Sequence, residues 1–171
     1  ATFGSGDSGN INVSSPQLEI TDGGGIATLV LVQLVGFSAP NAGEGSAGDL
    51  TVNADRVDLS GVSPLSPGAP AQMGSITFGS GNAGNVEVAV DRLRVDRGAT
   101  LLSAVIPSLS GLGEPLPGSG TGRGGNAIVN ASTSIEARGL NPFIGNPSFI
   151  GTQTFGSGDV GELQVTTETL R

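Results

Sequence analysis

Thr77-Phe78-Gly79-Ser80-Gly81-Asn82-Ala83-Gly84-Asn85-Val86 is one of three related stretches in this chain. The others are Thr2-Phe3-Gly4-Ser5-Gly6-Asp7-Ser8-Gly9-Asn10-Ile11 and Thr154-Phe155-Gly156-Ser157-Gly158-Asp159-Val160-Gly161-Glu162-Leu163. From Thr2 to Thr77 is 75 positions, and from Thr77 to Thr154 is 77. Self-similarity on this scale bears on the fold before any other signal does. A shorter unit lies inside the long one. Gly-(Asn/Asp/Glu)-x-x-Val recurs at Gly9–Val13, Gly48–Val52, Gly84–Val88, Gly125–Val129 and Gly161–Val165, in steps of 39, 36, 41 and 36 residues. Each long period is therefore two short ones. The chain reads as a single repetitive segment over 1-171, with long repeats at 2-76, 77-153 and, in part, 154-171.

Outward from each unit the apolar residues alternate with polar ones. Ile11-Asn12-Val13, Leu50-Thr51-Val52, Val86-Glu87-Val88 and Leu163-Gln164-Val165 are followed by Leu18-Glu19-Ile20, Val57-Asp58-Leu59 and Leu93-Arg94-Val95, with Ile135 and Ala137 in the fourth unit and Leu170 opening the fifth pair. The step from Val129 to Ile135 is one residue longer than its counterparts, which reads as an insertion at a corner. Alternation at period two marks strands with one buried face. Helical spacing is absent, and Gly at this density disfavours helix. A third strand is expected in the odd units, after the turns Thr21-Asp22-Gly23 and Asp96-Arg97-Gly98, where Gly supplies a positive φ. In the even units the turns Ser60-Gly61 and Arg138-Gly139 lead into Pro-rich excursions from Pro64 to Met73 and from Pro142 to Ile150. Two further lateral loops are expected at Phe37–Ala47 and Pro107–Gly124.

These signals predict an all-β chain, and specifically a right-handed parallel β-helix (β-solenoid) segment. About four and a half coils of three short strands, each stacked strand ~4.8 Å from the next, would carry long lateral loops. Ile11, Leu50, Val86, Ala127 and Leu163 would form one interior stack, and Val13, Val52, Val88, Val129 and Val165 another. A pair of small immunoglobulin-like sandwiches is the competing arrangement, but it would show several different strands per domain. Here one unit returns twice within each long period.

Composition narrows the function classes. The 171 residues include 30 Gly without a collagen period, 6 Phe, no Trp, no Tyr and no Cys. All seven basic residues are Arg, and the net charge is -8. An acidic chain repels phosphate backbones, so no nucleic-acid partner is expected. The absence of Cys removes disulfides and thiolate metal sites. The apolar run from Ile26 to Val35 is too short to span a bilayer as a helix, so no membrane insertion is expected.

Gly81-Asn82-Ala83-Gly84-Asn85-Val86-Glu87-Val88, followed by Leu93-Arg94-Val95-Asp96-Arg97-Gly98-Ala99, resembles the repeats of filamentous-haemagglutinin-like exoproteins, most closely the large cyanobacterial type of the two-partner secretion family. The resemblance covers nearly the whole chain, through five copies in register. It implies a parallel β-helix, an extracellular or outer-membrane-associated cell-surface location and, in some members, adhesion. The resemblance names no ligand.

Several residues invite a sharper reading. Gly4–Asp7 and Gly156–Asp159 resemble calcium-binding nonapeptide repeats, but those need tandem short repeats, and turn structure is the preferred reading. Asn10, Asn85 and Asn126, with Asp49 and Glu162, share one position in the unit. An internal ladder or a corner cap, in which a side-chain oxygen accepts neighbouring backbone N–H groups, is preferred over an exposed polar row. Phe3, Phe78 and Phe155 are expected to staple the loop entry to the body rather than to serve as ligand platforms. Asp55, Asp58, Asp91 and Asp96 with Arg56, Arg92, Arg94 and Arg97 evoke a polysaccharide-cleaving cleft. Yet Asp55-Arg56 and Asp91-Arg92 recur at equivalent corners, which argues for solvated pairs, and glycosidase chemistry needs two carboxylates at a set separation. Gly-Asn-Ala-Gly-Asn lacks the Lys and the following helix of a phosphate-binding loop. The sequons at Asn12 and Asn130 are given no role.

No catalytic, cofactor-binding or metal residue is assigned, and the chain is expected not to be an enzyme. The expected function is that of a surface-exposed or secreted structural repeat: a stalk, fibre or adhesin segment. Its alternative is a carbohydrate-binding or carbohydrate-cleaving β-helix. The chain opens on a loop entry and stops at Leu170-Arg171 inside a strand pair. It is therefore expected to be cut from something longer, or to meet another copy end to end. A surface glycan or other cell-surface ligand would meet it through the lateral loops.

Overall fold

The structure, a computed structural model, describes residues 1–34, 37–38, 41–107 and 118–171. In chain order its strands are β1 (Ile11–Thr21), β2 (Gly25–Val30), β3 (Gln33–Leu34), β4 (Phe37–Ser38), β5 (Leu50–Ser60), β6 (Val62–Ser63), β7 (Ser66–Pro70), β8 (Gln72–Thr77), β9 (Val86–Asp96), β10 (Thr100–Val105), β11 (Ala127–Arg138), β12 (Phe149–Thr154) and β13 (Leu163–Leu170). No helix occurs among the described residues. Of the two long loops expected at Phe37–Ala47 and Pro107–Gly124, positions 39–40 and 108–117 lie outside the described residues, as do positions 35–36.

Two parallel sheets carry the architecture. One has five strands in the order β1-β5-β9-β11-β13, the other four in the order β12-β10-β8-β2. Successive repeats therefore lie side by side in both. In the first sheet Ile11 pairs with Leu50, Leu50 with Val86, Val86 with Ala127 and Ala127 with Leu163. Val88 lies between Val52 and Val129.

This arrangement corrects the expected right-handed parallel β-solenoid of three short strands per coil. Among the described residues the strands fall into separate sheets that do not close, two of them parallel, and β3-β4 and β6-β7 form two small antiparallel pairs. Three physical reasons account for the difference. First, the two alternating pairs of each unit are not separate strands but halves of one strand of 11 residues, as in β1, β5 and β9. Nothing at the corner ends the ladder: pairing runs from Ser15↔Ala54 straight to Gln17↔Arg56, skipping one position. In β9, Asp91 and Arg92 both point outward while Val90 and Leu93 are buried, so the strand bends and changes its inward parity without breaking. Secondly, the Gly-rich segments stack without forming strands. Gly43 donates its N–H to the carbonyl of Gly4 at 3.0 Å, and Gly120 to that of Gly79 at 2.7 Å. Thirdly, the Pro-rich excursion after Ser60 folds back on itself locally as β6 and β7.

The even units also carry a third strand that alternation did not reveal. β8 and β12 begin in the last two residues of the expected Pro-rich excursions and pair with β10 over their full length. Their sequences, Gln72-Met73-Gly74-Ser75-Ile76-Thr77 and Phe149-Ile150-Gly151-Thr152-Gln153-Thr154, mix Gly and hydroxyl residues into the strand and so hide the period. The extra residue expected between Val129 and Ile135 appears as a register shift between Ala131 and Ser134. The odd-unit turns use positive φ at Asp22 (52°) and Gly23 (83°), and at Arg97 (52°) and Gly98 (82°).

The main core lies between the bent five-stranded sheet and the inner face of the four-stranded one. It joins Val52, Val57, Leu59, Val86, Val88, Leu93 and Val95 to Met73 and Leu101. A second, smaller cluster of Ile76, Leu102 and Ala104 lies on the other face of the four-stranded sheet, with Phe78, Ile106 and Phe149 packed against it. Complete removal from water contributes about 1.5–3 kcal/mol for each Val or Leu, so the core residues of the middle repeats dominate stability.

Candidate functional site

The recurrent polar residues prove to be rungs between repeats. Asn10 Oδ1 accepts the backbone N–H of Asp49 at 2.9 Å, and Asp49 Oδ1 that of Asn85 at 2.7 Å. Asn85 Oδ1 then accepts from Asn126 N at 2.9 Å, and Asn126 Oδ1 from Glu162 N at 2.8 Å. The side chain of one repeat thus takes up a backbone donor of the next, which is the ladder the spacing predicted. A second ladder runs beside it. Asp7 Oδ1 accepts from Ser46 N at 2.7 Å, Ser46 Oγ from Asn82 N at 3.3 Å and Asn82 Oδ1 from Arg123 N at 2.9 Å.

A third ladder was not foreseen. Thr28, Ser75, Ser103 and Thr152 occupy one register position on the inner face of the four-stranded sheet. Thr28 Oγ1 donates to the Gly48 carbonyl at 2.6 Å, Ser103 Oγ donates to the Gly84 carbonyl at 2.9 Å, and Thr152 Oγ1 donates to the Gly161 carbonyl at 2.8 Å. Ser75 Oγ accepts from Gly84 N at 2.7 Å, and Ser103 Oγ from Gly125 N at 2.9 Å. These hydroxyls, buried at Thr28, Ser75 and Ser103 and half-buried at Thr152, fasten one sheet to the start of the other. The signal was present as a hydroxyl residue in each third strand, but it is visible only once β8 and β12 are aligned with β2 and β10.

The same alignment shows that Gly-x-Gly-x-x-Gly opens every repeat, at Gly4–Gly9, Gly43–Gly48, Gly79–Gly84, Gly120–Gly125 and Gly156–Gly161. Close approach explains it. A Cβ on Gly81 would lie 1.9 Å from the Gly45 carbonyl oxygen, and one on Gly158 would lie 1.8 Å from that of Gly122. The motif serves layer-to-layer contact.

The charged candidates are spread along the outer side of the five-stranded sheet, except Arg97, which lies in the turn after β9. Arg56 and Arg92 are register neighbours, as are Asp58 and Arg94. Arg56 is ion-paired with Asp58, and this hydrogen-bonded carboxylate, with its charge, raises the guanidinium pKa further above its ordinary value. Arg94 pairs with Asp96, Arg97 Nε donates to Ser60 Oγ at 3.1 Å, and Ser132 Oγ donates to Asp91 Oδ1 at 2.6 Å. A shallow groove of about 180 Å³ runs over Arg56, Arg92, Arg94, Ser134 and Glu136. Asp58 is occupied by its arginine, so the groove offers no free carboxylate pair of the kind glycoside hydrolysis requires. Asp7 and Asp159 belong to the first and last repeats, and the structure does not bring them together. Among the described residues no group of three or more His, Cys, Asp or Glu is placed to hold a metal ion. No described helix is long and apolar enough to cross a membrane. The Phe residues divide: Phe78 packs on the second cluster, whereas Phe155 is 62% exposed.

No family model, no curated protein and no solved structure matches this chain.

Proposed function

We propose that this chain is a structural repeat segment, secreted or displayed at the cell surface, that extends by adding further layers of the same kind end to end. The observation that carries the reading is the continuity of the ladders. Each repeat offers the next a parallel strand edge, a row of side-chain acceptors and a Gly surface that only another Gly-rich segment can approach. The pattern has open positions on both outer edges of the five-stranded sheet. On β13, Leu163 is 44% exposed at the position where Val86 is fully buried. Unpaired strand edges of this kind template further strands. The polar groups that stand out in the sequence are largely consumed by these rungs, which favours a mechanical role over catalysis. The surface location rests on the resemblance of Gly81–Val88 and Leu93–Ala99, with their related copies, to the repeats of exported exoproteins.

Two measurements test the proposal. Antibody labelling of intact, unpermeabilised source cells should decorate the exterior, and labelling only after permeabilisation overturns the location. Size-exclusion chromatography with light scattering should show a mass that grows with concentration from the 16.8 kDa monomer. An unchanging monomer at the highest soluble concentration overturns end-to-end extension.

A further inference from the structure

A lateral pocket, lined from Gly68 and Pro70 through Thr100 to Phe149 and Phe155, carries two aromatic rings and no charged residue. Its volume is about 440 Å³, within the range of small-molecule sites. It lies over the outer face of the four-stranded sheet, where alternate residues of β12 and the residue just beyond it share one side. Phe149, Gly151, Gln153 and Phe155 are those residues. A Cβ on Gly151 would lie 2.9 Å from Phe149 Cζ, so the absence of a side chain there lets the Phe149 ring lie along the strand. Underneath, that ring packs on the cluster of Ile76, Leu102 and Ala104, which fixes it as a rigid surface. Phe155 adds a second ring, exposed to solvent.

The opposite wall is braced. Asn141, 3% exposed, donates from Nδ2 to the Pro67 carbonyl at 2.8 Å and so ties the loop after β11 to the excursion before β8. Its Oδ1 accepts the N–H groups of Phe143 at 2.9 Å and Ile144 at 3.3 Å. Asn146 and Gln153, by contrast, line the pocket with side-chain amides that have no hydrogen-bond partner among the described residues. Thr100 lines it too, and its Oγ1 is one of two buried side-chain polar atoms without a partner among the described residues. That hydroxyl lies beneath the pocket surface, so the polar groups the pocket presents are the two amides.

We infer that this pocket binds a neutral saccharide. A pyranose ring presents axial C–H groups of slight positive character, which suit the negative face of an aromatic ring. Its equatorial hydroxyls both donate and accept, as do the amides of Asn146 and Gln153. No lining residue is charged, so a uronic acid or sulfated sugar would find no cation here, while the chain as a whole carries a charge of -8. A purely apolar ligand would leave both amides without partners. The inference stands apart from end-to-end extension: the pocket is lateral, and saccharide binding can fail while extension holds, or the reverse.

The test titrates the protein with neutral gluco-, manno-, xylo- and galacto-tetrasaccharides and with tetragalacturonate, followed by calorimetry and by NMR shifts. At least one neutral tetrasaccharide should bind, and the acidic one should not. Phe155→Ala and Gln153→Ala should each weaken binding by about tenfold or more, whereas Phe155→Tyr, which keeps the ring, should stay within about threefold. Phe155 and Gln153 lie outside the main core, and circular dichroism checks that each variant is folded. Failure of every neutral saccharide to bind overturns the inference. So does equal binding of tetragalacturonate, or unchanged affinity in folded Phe155→Ala and Gln153→Ala.

Discussion

β9 and β13 begin with the same kind of unit, Gly84-Asn85-Val86-Glu87-Val88 and Gly161-Glu162-Leu163-Gln164-Val165, yet the two have opposite environments. Val86 and Val88 are 0% and 1% exposed, whereas Leu163 and Val165 are 44% and 37% exposed. Local sequence, strand conformation and register are alike. The difference is that β9 has β5 on one side and β11 on the other, while β13 has β11 alone. An inward residue in this fold is buried as much by the layers above and below it as by the opposite sheet. Stability is therefore a property of stacked neighbours, as in other repeat architectures, and one unit has little of its own.

The strongest way to break this comparison is to place a charge in both strands. Val88→Asp puts an unpaired carboxylate between Val52 and Val129 and should cost about 3–5 kcal/mol in urea unfolding. Val165→Asp, on the edge strand, should cost no more than about 1 kcal/mol. Equal losses would mean that the outer layer is as closed as the inner one.

A smaller effect separates the glycine columns. Gly81→Ala drives a methyl group into the Gly45 carbonyl and should destabilise by about 1–3 kcal/mol in the same assay. Gly4, in the first repeat, has nothing within 4 Å of the point where a Cβ would stand, so Gly4→Ala should stay within about 0.5 kcal/mol. A neutral Gly81→Ala would show that the layers slide apart without cost.

The smallest effect concerns the side-chain ladder. Asn85→Ala removes the acceptor of the Asn126 N–H and should cost about 1 kcal/mol. Glu162 occupies the equivalent position in the last repeat, where its side chain holds no further rung among the described residues. Glu162→Ala should therefore be silent within about 0.5 kcal/mol in urea unfolding. A matching loss at both positions would point to an intrinsic corner preference of the side chain, independent of the next repeat.

Much of this was legible in the chain itself. Strand identity, the inward set of Val52, Val88 and Val129, the residue inserted before Ile135 and the Asn10–Asn85–Asn126 ladder all follow from period-two alternation and from a unit repeated at nearly constant steps. Those signals are local, or are copies of one local signal, so sequence carries them in full. Other features were settled only by tertiary structure. Whether the chain leaves the ladder at Asp91-Arg92 or bends within it depends on the pairing of Val90 and Arg92 with Ala54 and Arg56, 36 residues away. β8 and β12 are strands because β10 lies between them, although Gly74 and Gly151 spoil their pattern. The Ser103 rung and the Phe149 platform depend on the same cross-repeat contacts. The physical reason is common to all four: the backbone hydrogen bonds and close packing that decide them are made to a neighbouring layer, and no residue within a few positions along the chain records what that layer presents.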